Sequence, residues 1–167
     1  MPADNPRNTM GSILAVDYGR ARIGLAIAEA EAQLPRPLLT LERVNRNEDM
    51  RRLRELVREH SVRQIVVGLP LRLDGTRGEM AEEATRFAVR LHKQLGLPVD
   101  MLDERLTSWE AERLLEEQSG RVLHEAKISS KSERRPARAS IDAIAAAVIL
   151  KEYLEQRRAT KSGPWHI

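Results

Sequence analysis

The stretch that decides the fold is Ile13-Leu-Ala-Val-Asp-Tyr-Gly19, which is followed closely by Arg22-Ile-Gly-Leu-Ala-Ile-Ala28. Both runs are apolar and rich in β-forming residues, and a short basic turn joins them, so they predict two buried strands. Asp17 lies at the edge of the first run, where a partly desolvated carboxylate would need a partner or a metal. Because Asp is also a common turn former, a plain hairpin turn remains an alternative at this point. Gly19 and Gly24 suit a tight connection or a close approach to a ligand.

The composition describes one soluble domain. The chain has 167 residues, of which 41% are hydrophobic and 32% are charged. No apolar run approaches the roughly 20 residues that are needed to span a bilayer, so no membrane partner is expected. Residues 1–11 are polar and lack the apolar core of a signal peptide, which predicts a disordered leader and a cytoplasmic protein. Residues 12–156 are then expected to form the folded domain, with a flexible tail at 157–167.

The composition also limits the metal chemistry that is open to this chain. There is no cysteine, which excludes disulfides, thiolate zinc sites and cysteine nucleophiles. The four histidines are scattered, and none pairs with another at metal-ligand spacing. Any bound metal should therefore be a hard cation held by carboxylate oxygens, which means Mg²⁺ or Mn²⁺.

Hydrophobic periodicity predicts the element order β-β-β-α-β-α-β-α-loop-α. Three strands with short links indicate an antiparallel meander, with a break at Pro35 and Pro37 before the third strand. The later elements are a third strand at 38–42, a helix from Asn47, a strand in 64–70, a helix at 79–95, a strand at 99–103, a helix at 109–118 and a last helix from about Ser140. The expected fold class is α/β, a five-stranded mixed sheet of three antiparallel meander strands plus two parallel ones, with helices on both faces.

The stretch 121–138 carries a local excess of positive charge. Six basic residues stand against two acidic ones, a difference of +4. It has no clear period and contains serines and a proline, which predicts a mobile loop. The charge fits a footprint for phosphate backbones, but also a merely solvated loop. Since aromatic residues make up only 3% of the chain, a base-stacking platform is not expected.

Three acids occupy unusual positions in this predicted fold. Asp17 is on the first strand, Glu104 follows the last strand, and Asp142 falls in the first turn of the last helix. Ligands of open α/β sheets gather beyond the carboxyl ends of the strands, where these acids could meet. Asp142 is the single acid of an otherwise apolar helical stretch, which should be largely buried. Taken singly, Asp142 could serve the helix dipole and Glu104 could pair with an arginine.

Four ordered motifs resemble the YqgF (RuvX) family. They are Ala15-Val-Asp-Tyr-Gly19, Val67-Gly-Leu-Pro-Leu71 with Asp74-Gly-Thr76, Asp103-Glu-Arg-Leu-Thr107 with Glu110-Ala111, and Ile141-Asp-Ala-Ile-Ala-Ala146. The resemblance covers about residues 13–155. It implies an RNase H-like fold and the activity of Holliday-junction-resolvase-like proteins or of pre-16S rRNA processing nucleases.

The resemblance implies that Asp17, Glu104 and Asp142 are catalytic acids that hold two Mg²⁺ or Mn²⁺ ions. Such a site suits phosphodiester hydrolysis that leaves a 5′-phosphate and a 3′-hydroxyl. Three crowded acids repel one another, so at least one pKa should rise without metal. The family also suggests supporting roles for Gly19, Thr107 and Ser108. The expected substrate contacts are Arg72, Arg77, Arg105, Lys127, Lys131, Arg134, Arg135 and Arg138, with Arg105 bracing Glu104 or meeting a phosphate.

One difference separates this chain from the junction resolvases proper. They commonly carry a fourth acid one turn after the last-helix aspartate, whereas position 145 here is alanine. Metal affinity is then expected to be weaker, or a nearby residue such as Asp103 to substitute. The substrate stays open between structured RNA, with an rRNA precursor slightly favoured, and branched DNA. A resolvase would be expected to work as a homodimer, but no exposed apolar stripe identifies a dimer face.

Two other interpretations remain at this point. A non-catalytic RNA-binding or ribosome-assembly factor with the same fold would use the basic stretch equally well and would lack metal-dependent turnover. A nucleotide-binding domain of the actin and sugar-kinase type also begins with an Asp-x-Gly strand. Such proteins need two domains to enclose ATP, and this chain is long enough for only one.

Overall fold

A mixed five-stranded sheet forms the centre of the protein, with strand order β3-β2-β1-β4-β5. The computed structural model describes residues 11–29, 34–106 and 137–161. The elements are β1 (Ser12–Tyr18), β2 (Arg22–Ala28), β3 (Arg36–Glu42), α1 (Arg46–Glu59), β4 (Val62–Leu69), α2 (Glu79–Leu95), β5 (Val99–Asp103), a 3₁₀ turn (Glu104–Leu106) and α3 (Ala137–Lys161). The first three strands pair antiparallel, whereas β4 pairs parallel with both β1 and β5. The predicted mixed sheet is confirmed.

Helices cover both faces of the sheet, as the sequence predicts. Leu14 and Val16 of β1 belong to the core on the side of α1 and α2. Ala15 belongs to the second core, which α3 closes with Ile149 and Leu150. Because successive side chains of a strand point to opposite faces of the sheet, the next two residues of β1 also face opposite sides. Asp17 faces α3, and Tyr18 faces α1 and α2.

Strand β3 begins at Arg36, two residues before the predicted start. The predicted break at Pro37 is therefore wrong, since this residue pairs with Ala26 of β2. A register shift lies next to that pair, and β3 is the edge of the sheet. Proline is tolerated at such positions because its missing N–H removes no ladder bond from a central strand.

Helix α3 is longer at both ends than its predicted apolar core. It begins at Ala137, so Asp142 lies in the second turn and not the first. It also continues to Lys161, five residues into the predicted flexible tail. The exposed residues at 155–159 are mostly good helix formers, so propensity extends the helix beyond its buried part. Although α3 has 25 residues, none of the helices within the described ranges is long and apolar enough to cross a membrane.

Candidate active site

Two of the predicted acids meet across strand β4. Asp17 is the penultimate residue of β1, Glu104 directly follows β5, and β4 lies between these strands. The Glu104 side chain passes over Gly68 of β4, where a Cβ would lie 2.1 Å from Glu104 Oε1. Gly68 thus leaves the space through which Glu104 reaches Asp17. A glycine inside a strand often indicates such a close approach, and this signal was present in the sequence but not used.

The carboxyl groups of Asp17 and Glu104 share a hydrogen bond, in which Glu104 donates. Burial raises the pKa of Glu104 to about 8, and the negative charge of Asp17 contributes to the rise. Burial also raises the pKa of Asp17 to about 6, against the lowering effect of the hydrogen bond from Glu104 and with a contribution from Asp142. The expected rise in pKa is present, but its main cause is burial and not repulsion.

Asp142 reaches this site because α3 packs directly on β2. Gly24 is paired with Asp17 in the sheet register. A Cβ on Gly24 would lie 2.0 Å from the carbonyl oxygen of Asp142, so only glycine allows this contact. The sequence suggested that Gly24 serves a tight connection, but it lies inside β2 and admits the helix backbone instead. Gly19 does occupy the β1–β2 turn, where a Cβ would lie 2.4 Å from the carbonyl oxygen of Arg22.

The third acid already has a cationic partner. Arg22 Nε donates to Asp142 Oδ2 at 2.8 Å, and the two side chains are 40% and 24% exposed. The part of the chain that the structure describes contains no group of three acidic or histidine side chains already gathered to hold a metal ion. Asp142 is close enough to raise the pKa of Asp17, yet its carboxylate is bonded to Arg22. Arg22 was not among the predicted site residues.

The donor set still fits a hard divalent cation. It consists of three carboxyl groups, two of which share a proton in a buried position. Carboxylate oxygens are the preferred ligands of Mg²⁺ and Mn²⁺. A cation in place of the shared proton would neutralise the negative charge of the Asp17 and Glu104 carboxylates.

Arg105 binds Asp103, and its expected roles, bracing Glu104 or meeting a phosphate, stay predictions. Its Nε lies 3.1 and 3.0 Å from the two carboxylate oxygens, and its Nη2 lies 2.7 Å from Oδ2. This guanidinium lowers the pKa of Asp103. For Asp103 to act as the missing fourth acid, a metal would have to displace Arg105.

The loop between β4 and α2 carries two of the predicted substrate contacts. Arg72 closes a turn, with its N–H donating to Thr76 O at 3.0 Å and its carbonyl accepting from Gly75 N at 2.8 Å. Gly75 has a φ of +86°, and a Cβ there would lie 3.0 Å from Arg105 Nη1, so the loop tip lies against Arg105. Arg72 and Arg77 are exposed, and their roles stay predictions. Outside the described residues lie the predicted helix at 109–118, Thr107, Ser108, Lys127, Lys131, Arg134, Arg135 and the side chain of Arg138.

A family model for RuvX, described as Holliday junction resolvase, matches residues 11–156. The chain belongs to the RuvX family. A relative from Koribacter versatilis is 39% identical over 159 residues, which are 95% of this chain and 96% of the relative. A Chloroflexus aurantiacus relative is 42% identical over 147 residues, or 88% of each chain. Both bear the name "Putative pre-16S rRNA nuclease".

Solved structures agree on the fold. Thermus thermophilus RuvC superimposes with a TM-score of 0.51 at 13% identity, covering 89% of this chain and 97% of RuvC. The same protein in complex with a Holliday junction substrate gives 0.50 at 14% identity, with 90% and 97% covered. The predicted RNase H-like fold is thereby confirmed. Family membership also confirms the prediction of a nuclease and decides against the actin- and sugar-kinase-like interpretation.

Proposed function

We propose that this RuvX-family nuclease is a divalent-metal-dependent endonuclease in which Asp17, Glu104 and Asp142 are the catalytic acids. The observation that carries the proposal is the pairing of the partly buried carboxyl groups of Asp17 and Glu104 across Gly68, which raises both pKa values. Burying two acids together costs free energy unless they serve a ligand or a reaction. Acids with raised pKa values that face one another are typical of functional sites.

The three carboxylates would hold Mg²⁺ or Mn²⁺. When bound, two such ions supply an activated water and a counter-charge for the leaving oxygen of an in-line phosphodiester hydrolysis. The chain itself does the remaining work. On metal binding, Glu104 would release to solvent the proton that it shares with Asp17, and the carboxylate of Asp142 would leave Arg22 to become a ligand.

Among nucleic acids, we propose an rRNA precursor as the first candidate substrate and a four-way DNA junction as the second. The names of the relatives support the RNA, and the family description supports the junction. Structured RNA is recognised largely by shape and backbone, which suits a chain with 3% aromatic residues. Arg72, Arg77 and the basic segment at 121–138 are the proposed backbone contacts. The enzyme would act in the cytoplasm, and symmetric junction cleavage would require a homodimer.

A cleavage assay tests the proposal. An rRNA-precursor fragment, a four-way DNA junction and linear duplex DNA would each be incubated with Mg²⁺, with Mn²⁺ and with chelator. Wild type would be compared with Asp17→Asn and with Glu59→Gln, an exposed acid on α1 away from the site. We expect metal-dependent cleavage that Asp17→Asn abolishes and Glu59→Gln preserves, and the preferred substrate decides between RNA and junction.

The same assay recognises the non-catalytic alternative. A factor that only binds RNA would retain the precursor fragment without cutting it under any metal condition. Its binding would also be the same in wild type and Asp17→Asn. That pair of results would contradict the proposed function.

A further inference from the structure

A second charged site lies at the carboxyl end of β1, on the face opposite the acids. It is a cavity of about 240 Å³, which we term the arginine pocket. The pocket is lined by Tyr18, Arg43, Arg46, Glu83, Arg86, Phe87 and Arg90. Tyr18 is the only lining residue that belongs to one of the four motifs, and none of the proposed catalytic residues lines this cavity.

Most of the acidic charge around the pocket is already used by other partners. Glu83 accepts from Arg20 at 2.8 Å and from the hydroxyl of Tyr18 at 3.3 Å. Arg43 donates to buried Asp49 at 3.1 Å and to the Tyr18 hydroxyl at 3.0 Å. Glu83 is the acid of the pocket wall, and its hydrogen bonds go to Arg20 and Tyr18, although its charge also attracts Arg86. Hydrogen-bonded acids therefore compensate Arg43 but not the other three arginines.

Those three arginines are Arg46, Arg86 and Arg90. Within the described ranges, no ion pair or hydrogen bond engages their guanidinium groups. Arg90 is partly buried, and burial together with the positive charges of Arg46 and Arg43 lowers its pKa. Arginine keeps its proton at any physiological pH, so the repulsion stays until an anion enters.

The pocket has the size and the donors for a phosphate group. At roughly 30 Å³ per water molecule, a volume of about 240 Å³ holds about eight waters, or a tetrahedral anion with part of its hydration shell. Guanidinium groups bind phosphate oxygens through paired, charge-assisted hydrogen bonds. The rings of Tyr18 and Phe87, whose centroids are 5.0 Å apart, form a rigid wall beside these donors.

The basic surface continues beyond the pocket along α2. Arg86, Arg90 and Lys93 line a shallower cavity on the outer side of the helix. They follow one another at spacings of four and three residues, so they share one face and are separated by about 6 and 4.5 Å of helix rise. A single phosphate ion would need only the pocket, whereas a row of cations favours a chain of phosphates.

We propose that the arginine pocket binds a backbone phosphate of the nucleic acid strand on which the nuclease acts. The assignment of the phosphate to a substrate strand rests on the proposed function. Asp17 and Tyr18 are consecutive, so their Cα atoms are about 3.8 Å apart, while their side chains face opposite sides of the sheet. The strand would therefore contact the protein on both sides of the end of β1, with one side for cleavage and the other for anchoring.

The test compares Arg86→Gln/Arg90→Gln with the control Arg54→Gln/Arg58→Gln. The control removes the same charge from exposed positions of α1 outside the pocket. Binding of the rRNA-precursor fragment is measured in chelator, at several salt concentrations, so that no cleavage occurs. We expect the pocket variant to bind at least about 5-fold more weakly and to lose about 0.7–0.9 units of the salt slope, the contribution of one phosphate contact. The control should retain wild-type affinity and slope.

A second measurement identifies the source of the phosphate. Thermal unfolding is followed in inorganic phosphate and in chloride at equal ionic strength. Protection by phosphate in wild type but not in the pocket variant, combined with the loss in RNA binding, supports the strand assignment. Protection without any loss in RNA binding would overturn it in favour of a free phosphate compound. Equal behaviour of pocket and control variants in both measurements would overturn the pocket itself.

The outcome is separable from that of the proposed function. Metal-dependent cleavage by wild type together with an unimportant pocket would leave the nuclease proposal intact. Pocket-dependent RNA binding without any cleavage would instead contradict the nuclease proposal and leave the pocket in place.

Discussion

Each of the two sites at the end of β1 brings like charges close together, and the two sites differ in how the fold accommodates the repulsion. On the α3 face, Asp17 and Glu104 lie together in a partly buried position and reduce their repulsion by sharing a proton. On the other face, Arg46, Arg86 and Arg90 cannot lose a proton, because the pKa of arginine is too high. They remain charged and therefore line a cavity that is open to solvent. Carboxyl groups can lower their repulsion by keeping a proton, whereas arginines need an anion or solvent for this.

A third charged group shows how the fold treats charges that only stabilise it. Asp49 is 2% exposed, and it accepts from Arg43 Nε and from the N–H of Val44, both at 3.1 Å. The charges of Asp49 and Arg43 neutralise each other, so no ligand is required. The acid site and the arginine pocket both lack that balance, which is why we assign ligands to them and not to Asp49.

The largest expected effect concerns the buried acid with the highest pKa. Glu104→Gln keeps the shape of the side chain and removes the charge that would hold a metal. Cleavage in Mn²⁺ should fall more than about 100-fold, beyond the range typical of residues that only support metal ligands. Single-turnover cleavage measures the loss, with Glu59→Gln as the matched control. Unchanged cleavage would contradict the assignment of Glu104 as a catalytic acid.

The second prediction tests how the acid site is built. Gly24→Ala places a methyl group against the backbone carbonyl of Asp142, which cannot move without shifting α3. Stability should fall by about 1–3 kcal/mol or somewhat more, as for other overpacked sites. Gly68→Ala is the matched variant, because its methyl meets the side chains of Glu104 and Ile149 and no backbone atom, and the ends of side chains can shift more easily than backbone. Thermal unfolding should show a smaller loss for Gly68→Ala, and equal losses would contradict this account of the contact.

The third prediction separates the two sites by pH. The pKa values of Asp17 and Glu104 are raised in the folded state to about 6 and 8, so the folded protein binds protons more tightly than the unfolded chain. This contribution to stability is fully present below about pH 4 and is lost as pH rises through 6 and 8. In chelator, the melting temperature should therefore fall by on the order of 10 °C from these groups between pH 5 and pH 8.5.

Two variants control for this pH dependence, one at the acid site and one in the arginine pocket. Glu104→Gln should flatten the fall, because it removes the larger shift. Arg86→Gln/Arg90→Gln should leave the fall unchanged, since those arginines do not titrate in this range. A steep fall that persists in Glu104→Gln would mean that other groups cause it.

The smallest expected effect concerns the ion pair of Arg22 with Asp142. A metal must compete with Arg22 for this carboxylate, so Arg22→Gln should bind Mn²⁺ about 3- to 10-fold more tightly, a gain of roughly 0.7–1.4 kcal/mol that is typical of a partly exposed pair. Because exposed pairs are usually worth about 0.2–1 kcal/mol, a gain in affinity toward the lower end, about 3-fold, is expected. Calorimetric titration measures the affinity, with Arg54→Gln as a control for the lost charge. Weaker Mn²⁺ binding by Arg22→Gln would show that Arg22 positions Asp142 for the metal instead of competing with it.

Much of the fold was accessible from local patterns. The apolar runs and their turns predicted the five strands, and helical periodicity predicted α1, α2 and the buried part of α3. Two predictions were wrong for physical reasons that local patterns do not contain. Pro37 was interpreted as a break because the edge position of β3 is a property of the whole sheet. The ends of α3 extend beyond its buried residues, where helix propensity acts without a periodic apolar signal.

The sequence identifies three candidate acids because each stands inside an apolar stretch or at the end of a predicted strand. They are Asp17, Glu104 and Asp142. The sequence by itself determined which residue types are available, which face of each element is apolar, and to which family the motifs belong. Only the tertiary structure decided that Arg22 binds Asp142, that Gly24 and Gly68 make room for the acids, and that arginines from α1, α2 and the β3–α1 link form one pocket. The physical reason is that burial follows from local periodicity, whereas contacts between distant residues depend on how the sheet and helices pack.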